Sequence, residues 1–191
     1  MAQARALNSQ EVEHVLAWVG TRRHARRNRA ILLLTHLAGL RIGEVASLRW
    51  SDVMTSSDTI KEEVRLLPEM TKGKHARTVF LSKRLREELQ AYANEYRRNA
   101  DPSYPLFYSQ KGVREGFSAN TMTQTVGLMY RGAGLDGATS HSGRRSFLTN
   151  LANKGTAIHL LKALAGHRSI STTAAYLYSS PTQLKAAVEL A

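Results

Sequence analysis

The chain contains no cysteine, which excludes a disulfide framework, thiolate metal ligands and a cysteine nucleophile. Long hydrophobic runs are missing as well. The longest apolar stretch, Ala30 to Leu40, is too short to span a bilayer and already includes His36. The opening MAQARALNSQ lacks the apolar segment of an export signal. These absences predict a soluble, cytoplasmic protein with no membrane attachment. Acidic residues are also in short supply, 15 against 27 Lys and Arg, for a formal net charge of +12. A balance this basic favours polyanionic partners, nucleic acid above all. With 42% hydrophobic residues in 191, the chain can bury a sizeable core, so a disordered chain is excluded.

The positive charge is uneven. TRRHARRNR, from Thr21 to Arg29, places five Arg in nine positions. On a helix these point in several directions, which suits a solvated face, and the global charge makes a nucleic-acid backbone contact the competing use.

The hydrophobic periodicity is mostly helical. Asn8 followed by Glu11 has the form of a capping box opening a helix to about Val19. A second helix is predicted from about Arg26 to Ala38 with Gly39 as its stop, and a short third from Gly43 to Leu48. EVRLLPEM and ARTVFL read as β-strands joined through the turn TKGKH, giving a small antiparallel sheet. Ser82 caps a long helix whose Leu85, Leu89, Tyr92 and Tyr96 form a core stripe. DPSYPLF is a loop. Further helices are expected at Ala119–Arg131, His141–Asn153, Thr156–Ala165, Ser171–Leu177 and Thr182–Leu190. With no repeat and no linker, the expectation is one mainly α domain with a small antiparallel β-sheet spanning 1–191.

Several chemistries leave no trace. There is no phosphate-binding G-x-x-x-x-G-K-[ST] loop, no G-x-S-x-G elbow and no H-E-x-x-H. The acids are scattered and the seven histidines dispersed, so neither a carboxylate cage nor a zinc spacing is visible. Work on a phosphodiester by such a chain relies on fixed cations. Attack on phosphorus builds charge on the non-bridging oxygens, and the planar fork of Arg is suited to meet it.

The second half offers candidates. His141 and Arg144 stand three apart in TSHSGRRSF, on one face of an expected helix start, with Arg145 as the rival to Arg144. In LAGHRSISTTAAYLY, Gly166 ends a helix, His167 occupies the turn, and Tyr176 follows on the next helix, with Tyr178 as its competitor. Arg41, in AGLRIGEVASLRW, stands just before a short helix whose free amides favour an anion. Glu44, Val45 and Leu48 lock that elbow into the core. Lys72 and Lys74 occupy the hairpin turn. Each residue has an ordinary structural use when taken alone.

The order of these pieces carries a resemblance. GLRIGE, a hairpin TKGK, H-x-x-R, L-x-G-H and a tyrosine nine residues later resemble the tyrosine recombinase (phage integrase) family. The resemblance covers essentially the whole chain as the catalytic domain of that family. It implies that Arg41, Lys72, His141, Arg144, His167 and Tyr176 are the catalytic set, with Glu44 supporting Arg41. Lys72 is preferred to Lys74 because it directly precedes Gly73, and Tyr176 to Tyr178 by its spacing from His167.

The implied activity is site-specific breakage and rejoining of double-stranded DNA through a 3′-phosphotyrosine, without metal or other cofactor. A phenol is mostly protonated at neutral pH, so neighbouring cations and His141 as base would activate Tyr176. Arg41, Arg144 and His167 would hold the phosphate oxygens, and Lys72 would protonate the leaving 5′ oxygen. The implied assembly is a homo-oligomer on DNA, with a tetrameric synapse, on the nucleoid. Residues 181–191 resemble the tail that docks on a neighbouring protomer.

About forty residues precede Arg41. They read as the catalytic domain's own first helices rather than as the separate clamp domain common in the family. H-S-G-R departs from the usual apolar residue before the arginine, and Gly143 is expected to loosen the helix start. A non-cleaving DNA-binding relic, a type IB topoisomerase-like enzyme and an RNA-associated protein are the alternative readings.

Overall fold

A computed structural model describes residues 4–71, 73–97, 101–109, 115–177 and 188–189. The chain divides into two compact units, residues 1–147 and 148–191.

The first unit is built around a central helix. α1 (Ser9–Gly20) opens with the expected capping box: Glu11 N–H donates to Asn8 Oδ1 at 2.9 Å and Asn8 N–H to Glu11 Oε2 at 2.9 Å. α2 (Ala25–Ala38) carries AILLLTH, and from Ala30 to His36 every residue is buried. A helix apolar on all sides must be covered on all sides, and α2 packs against α1, α3 (Ile42–Ser47) and α5 (Lys83–Tyr96). Gly39 ends α2 in the left-handed conformation, φ 65°. A Cβ there would also meet the Phe147 ring at 2.5 Å, so both backbone geometry and close packing require glycine.

A four-residue helix, α4 (Trp50–Val53), was not foreseen in the sequence. It forms because the Asp52 carboxylate accepts from Arg49 N–H at 2.7 Å while Trp50 is buried. Trp50 stacks on Tyr92 at 5.6 Å, and Tyr92 stacks in turn on Tyr96 and tilts against Phe107. The Leu85, Leu89 and Tyr92 stripe of α5 is buried, as its spacing requires, and Ser82 caps the helix.

β1 (Glu63–Leu66) pairs antiparallel with β2 (Arg77–Phe80), Val64 opposite Val79 and both facing the core. The strands are shorter than their β-leaning runs because Pro68 starts a single 3-10 turn, Pro68–Met70. Thr71 then holds the hairpin turn, its Oγ1 accepting from His75 N–H at 3.1 Å. α6 (Ala119–Gly132) packs on α1 and α3. α7 (Ser142–Asn153) starts in this unit.

The second unit holds α8 (Ile158–Ala165) and α9 (Ile170–Ala174), packed together and joined through Gly166 at φ 61°. α9 is shorter than expected. After Ala174 the backbone tightens: Tyr176 N–H donates to Thr173 O at 3.0 Å and Leu177 N–H to Ala174 O at 2.9 Å. Tyr176 therefore lies in a turn just beyond the helix and not within it. The expected helix Thr182–Leu190 falls almost wholly outside the described residues. The described residues thus form the mainly helical architecture with a small antiparallel sheet that the periodicity predicts. No helix among the described residues is long and apolar enough to cross a membrane.

Candidate functional site

In the first unit the candidate residues gather at the elbow between α2 and α3. Glu44 is 1% exposed, which an ionised carboxylate tolerates only when well partnered. It accepts from Arg41 N–H at 2.7 Å, Arg41 Nη1 at 2.9 Å and Arg77 Nη2 at 2.7 Å. One carboxylate thus closes the start of α3, fixes the Arg41 side chain and ties β2 to the elbow. Arg41 stays 28% exposed on its side chain, whereas Arg77 is only 9% exposed. Arg41 is therefore the partner that keeps an open edge. Burial pushes the Arg77 guanidinium down from its ordinary value, Glu44 opposes that shift, and the Arg41 charge adds to it.

Arg144 reaches the same elbow. In the first turn of α7 it is 5% exposed, and its Nη1 donates to Gly39 O at 2.6 Å. Arg145 is half-buried. That bond orients the Arg144 fork and holds its planar group in a fixed plane. The approach depends on Gly143. A Cβ there would lie 2.0 Å from Thr35 Oγ1 and 3.2 Å from His36 Cδ2. Gly143 does not loosen the helix start, as the sequence suggested; it lets α7 press directly on α2.

Side chains around the start of α7 complete the anchoring. Thr139 N–H donates to Ser142 Oγ at 2.9 Å and Ser142 N–H to Thr139 O at 2.9 Å. Ser146 Oγ donates to Ser142 O and accepts from Leu7 N–H at 2.7 Å. His141 stands one residue before the helix and is exposed. His141 and Arg144 are therefore not equivalent positions on one helical face: one is at the surface and the other is inside.

Beneath Gly143, His36 is buried in α2, its Nε2 2.9 Å from the Tyr130 hydroxyl. Burial lowers its pKa from 6.5 to about 4, which keeps the ring neutral.

In the second unit His167 and Tyr176 are brought together. Their rings stack at 5.8 Å with 21° between planes, an offset arrangement of the favourable kind. His167 Nδ1 lies 3.0 Å from Thr173 Oγ1, and Thr173 is fully buried. Lys72 and Tyr178 lie outside the described residues.

The profile of the phage integrase family matches residues 5–183. The chain belongs to the phage integrase family. It is similar to the tyrosine recombinase XerA of Pyrococcus furiosus, with 32% identity over 165 residues, 86% of this chain and 54% of that protein. It is also similar to transposase A from transposon Tn554 of Staphylococcus aureus, with 28% identity over 189 residues, 96% of this chain and 51% of that protein. Among solved structures, a crystal structure of XerA recombinase superposes with a TM-score of 0.78 at 21% identity, covering 100% of this chain and 64% of that one. The Tn1549 transposon integrase in complex with circular intermediate DNA gives 0.76 at 20% identity, covering 100% and 68%. The chain thus spans about half the length of the curated relatives named here.

Two features of this integrase-family chain were not found from its sequence. Arg77 is a β-strand arginine without a motif of its own, and its contact with Glu44 spans 33 residues. Thr173 sits in a run of small residues, where nothing marks it as the partner of His167.

The arginine-rich stretch divides in two. Arg29 pairs with Glu88 and donates to Leu16 O at 3.2 Å, Arg26 pairs with Glu95 at 2.9 Å, and Arg27 lies over the Phe117 ring. Arg27 and Arg29 are half-buried, whereas the Arg26–Glu95 pair lies at the surface. Arg22, stacked over Trp18, and Arg23 are exposed. Among the described residues no group of three His, Cys, Asp or Glu could hold a metal ion.

Proposed function

We propose that this chain is the catalytic domain of a site-specific DNA recombinase that cuts and rejoins strands through a 3′-phosphotyrosine on Tyr176. The observation that carries this reading is the match to the phage integrase family over residues 5–183, which takes in every motif from Arg41 to Tyr176.

In the proposed reaction Tyr176 Oη attacks a backbone phosphorus and forms the 3′-phosphotyrosine bond. The P–O bond to the 5′ oxygen breaks, and Lys72 gives that oxygen its proton. His141 takes the phenolic proton. The 5′ hydroxyl of another strand then attacks the phosphotyrosine, which restores the diester and releases Tyr176. Arg41, Arg144 and His167 meet the charge that develops on the non-bridging oxygens. The fixed Arg41 and Arg144 forks support this role, because donors already oriented need no reorganisation as the charge appears. Every step uses the chain's own side chains, with double-stranded DNA as the substrate. Strand exchange between two sites calls for a homo-oligomer, four protomers in the synapse, acting on the nucleoid in the cytoplasm. Residues 181–191 are proposed as the segment that docks on a neighbouring protomer.

The test is covalent trapping in EDTA. Supercoiled plasmid and DNA flanking the gene are incubated with protein, quenched in SDS and compared with Tyr176→Phe and Tyr178→Phe. A protein–DNA adduct lost only in Tyr176→Phe is the expected result. Loss only in Tyr178→Phe would move the nucleophile. No adduct, with salt-sensitive DNA binding intact, would overturn the cleavage reading.

A further inference from the structure

We infer that Thr173 is the positioning residue of His167, setting which ring nitrogen His167 presents and in which plane; its role in catalysis rests on the recombinase reading above. The hydroxyl of Thr173 lies 3.0 Å from His167 Nδ1, and Thr173 is fully buried. A buried hydroxyl is held to a partner by the cost of leaving it unsatisfied. Because Thr173 occupies α9 and His167 the turn before it, the contact pins a loop side chain to a helix.

The chemistry of the partner matters. A hydroxyl donates to Nδ1 when that nitrogen is bare, and accepts from Nδ1–H when it carries the proton, in the neutral or the charged ring. A carbonyl could only accept, and a carboxylate would also favour the cation. With threonine in this position the ring keeps its orientation through gain or loss of a proton. The same contact fixes the plane on which Tyr176 stacks at 5.8 Å. Thr173 thus governs two groups while itself remaining away from solvent.

The decisive readout is the ring of His167 itself. The full chain is labelled with 15N-histidine, and the His167 nitrogens are followed by long-range proton–nitrogen correlation across pH. His167→Gln serves for assignment only. Thr173→Val, nearly isosteric but without the hydroxyl, is expected to move the Nδ1 resonance and loosen the ring from its plane against Tyr176. Thr173→Ser is expected to restore both. If valine is not accommodated in the fold, as judged by thermal melting, Thr173→Ala replaces it. Single-turnover trapping on DNA is expected to fall about tenfold in the hydroxyl-free variant, the loss of one hydrogen bond's worth of orientation, and to recover in Thr173→Ser.

Unchanged His167 nitrogens in the hydroxyl-free variant, or no recovery with serine, would overturn the assignment. Absence of any adduct in the unaltered protein would instead overturn the recombinase reading, and the nitrogen shifts would still decide the role of Thr173.

Discussion

Arg77 on β2 and Glu44 on α3 meet at 2.7 Å, both largely buried, although 33 residues separate them in sequence. The carboxylate that Arg77 engages also holds Arg41 by its backbone and its guanidinium. Removing it strips three N–H donors of their acceptor at once. Glu44→Ala is therefore expected to cost about 3–5 kcal/mol in urea unfolding, as for other broken buried ion pairs. Because Arg77 and Glu44 contact each other directly, Glu44→Ala/Arg77→Met should lose clearly less than the sum of the two single changes. Strict additivity would sever the proposed link.

Arg41→Lys separates charge from shape. Lysine can keep a single contact with Glu44 but lacks the planar fork. The variant should melt close to the parent, while covalent trapping on DNA falls by about 10²-fold or more, as for loss of a preorganised donor. A parallel loss of stability and activity would assign Arg41 to the fold alone.

His36 gives the fold an acid sensitivity with a defined sign. Its folded pKa, about 4, lies below the ordinary 6.5. Between these values the unfolded chain binds a proton that the folded chain does not. The stability contributed by the neutral ring is thus fully present above pH 6.5, is lost as pH falls, and is gone below 4. The loss amounts to about 3 kcal/mol. His36→Gln, which can still meet the Tyr130 hydroxyl, should flatten this part of the pH profile in urea titrations. An unchanged slope would place the acid sensitivity elsewhere.

Gly143→Ala forces a methyl group toward Thr35 Oγ1, 2.0 Å from the ideal Cβ position. Overpacking of this kind costs about 1–3 kcal/mol. Because α7 must lift from α2, the bond from Arg144 to Gly39 O should weaken as well. A lower melting temperature together with slower trapping is expected, and an unchanged melting temperature would show that the contact is soft.

His24 precedes α2 with φ 62° and no side-chain cap. A left-handed conformation costs an L-residue about 1–2 kcal/mol, and glycine is spared it. His24→Gly should raise stability in urea unfolding by up to about 1 kcal/mol, and a loss would show that the imidazole contributes packing of its own.

Much of this organisation is legible in the sequence, and the division follows the range of the interactions. Asn8 with Glu11, Ser82 and Gly39 act within one helical turn, so the helices they bound carry their signals beside them. α4 depended on Asp52 reaching back to Arg49 under a buried Trp50, a signal too short for periodicity to register. α9 ends early because its last bonds tighten to three-residue spacing, which the sequence leaves open. Arg77 and Thr173 were missed for a single reason: each acts through a partner that only the folded chain brings near. At Gly143 the sequence signals local flexibility, and close approach shows only once Thr35 stands opposite it.

The sharing of Glu44 between Arg41 and Arg77 also has a history attached to it. A lineage that loses the acid inherits two cations in one small space, and one that loses Arg77 inherits a carboxylate with a single guanidinium to answer it. Neither step is neutral by itself, so positions 44 and 77 should drift as a couple among descendants of this fold, each substitution tolerated mainly in the company of the other.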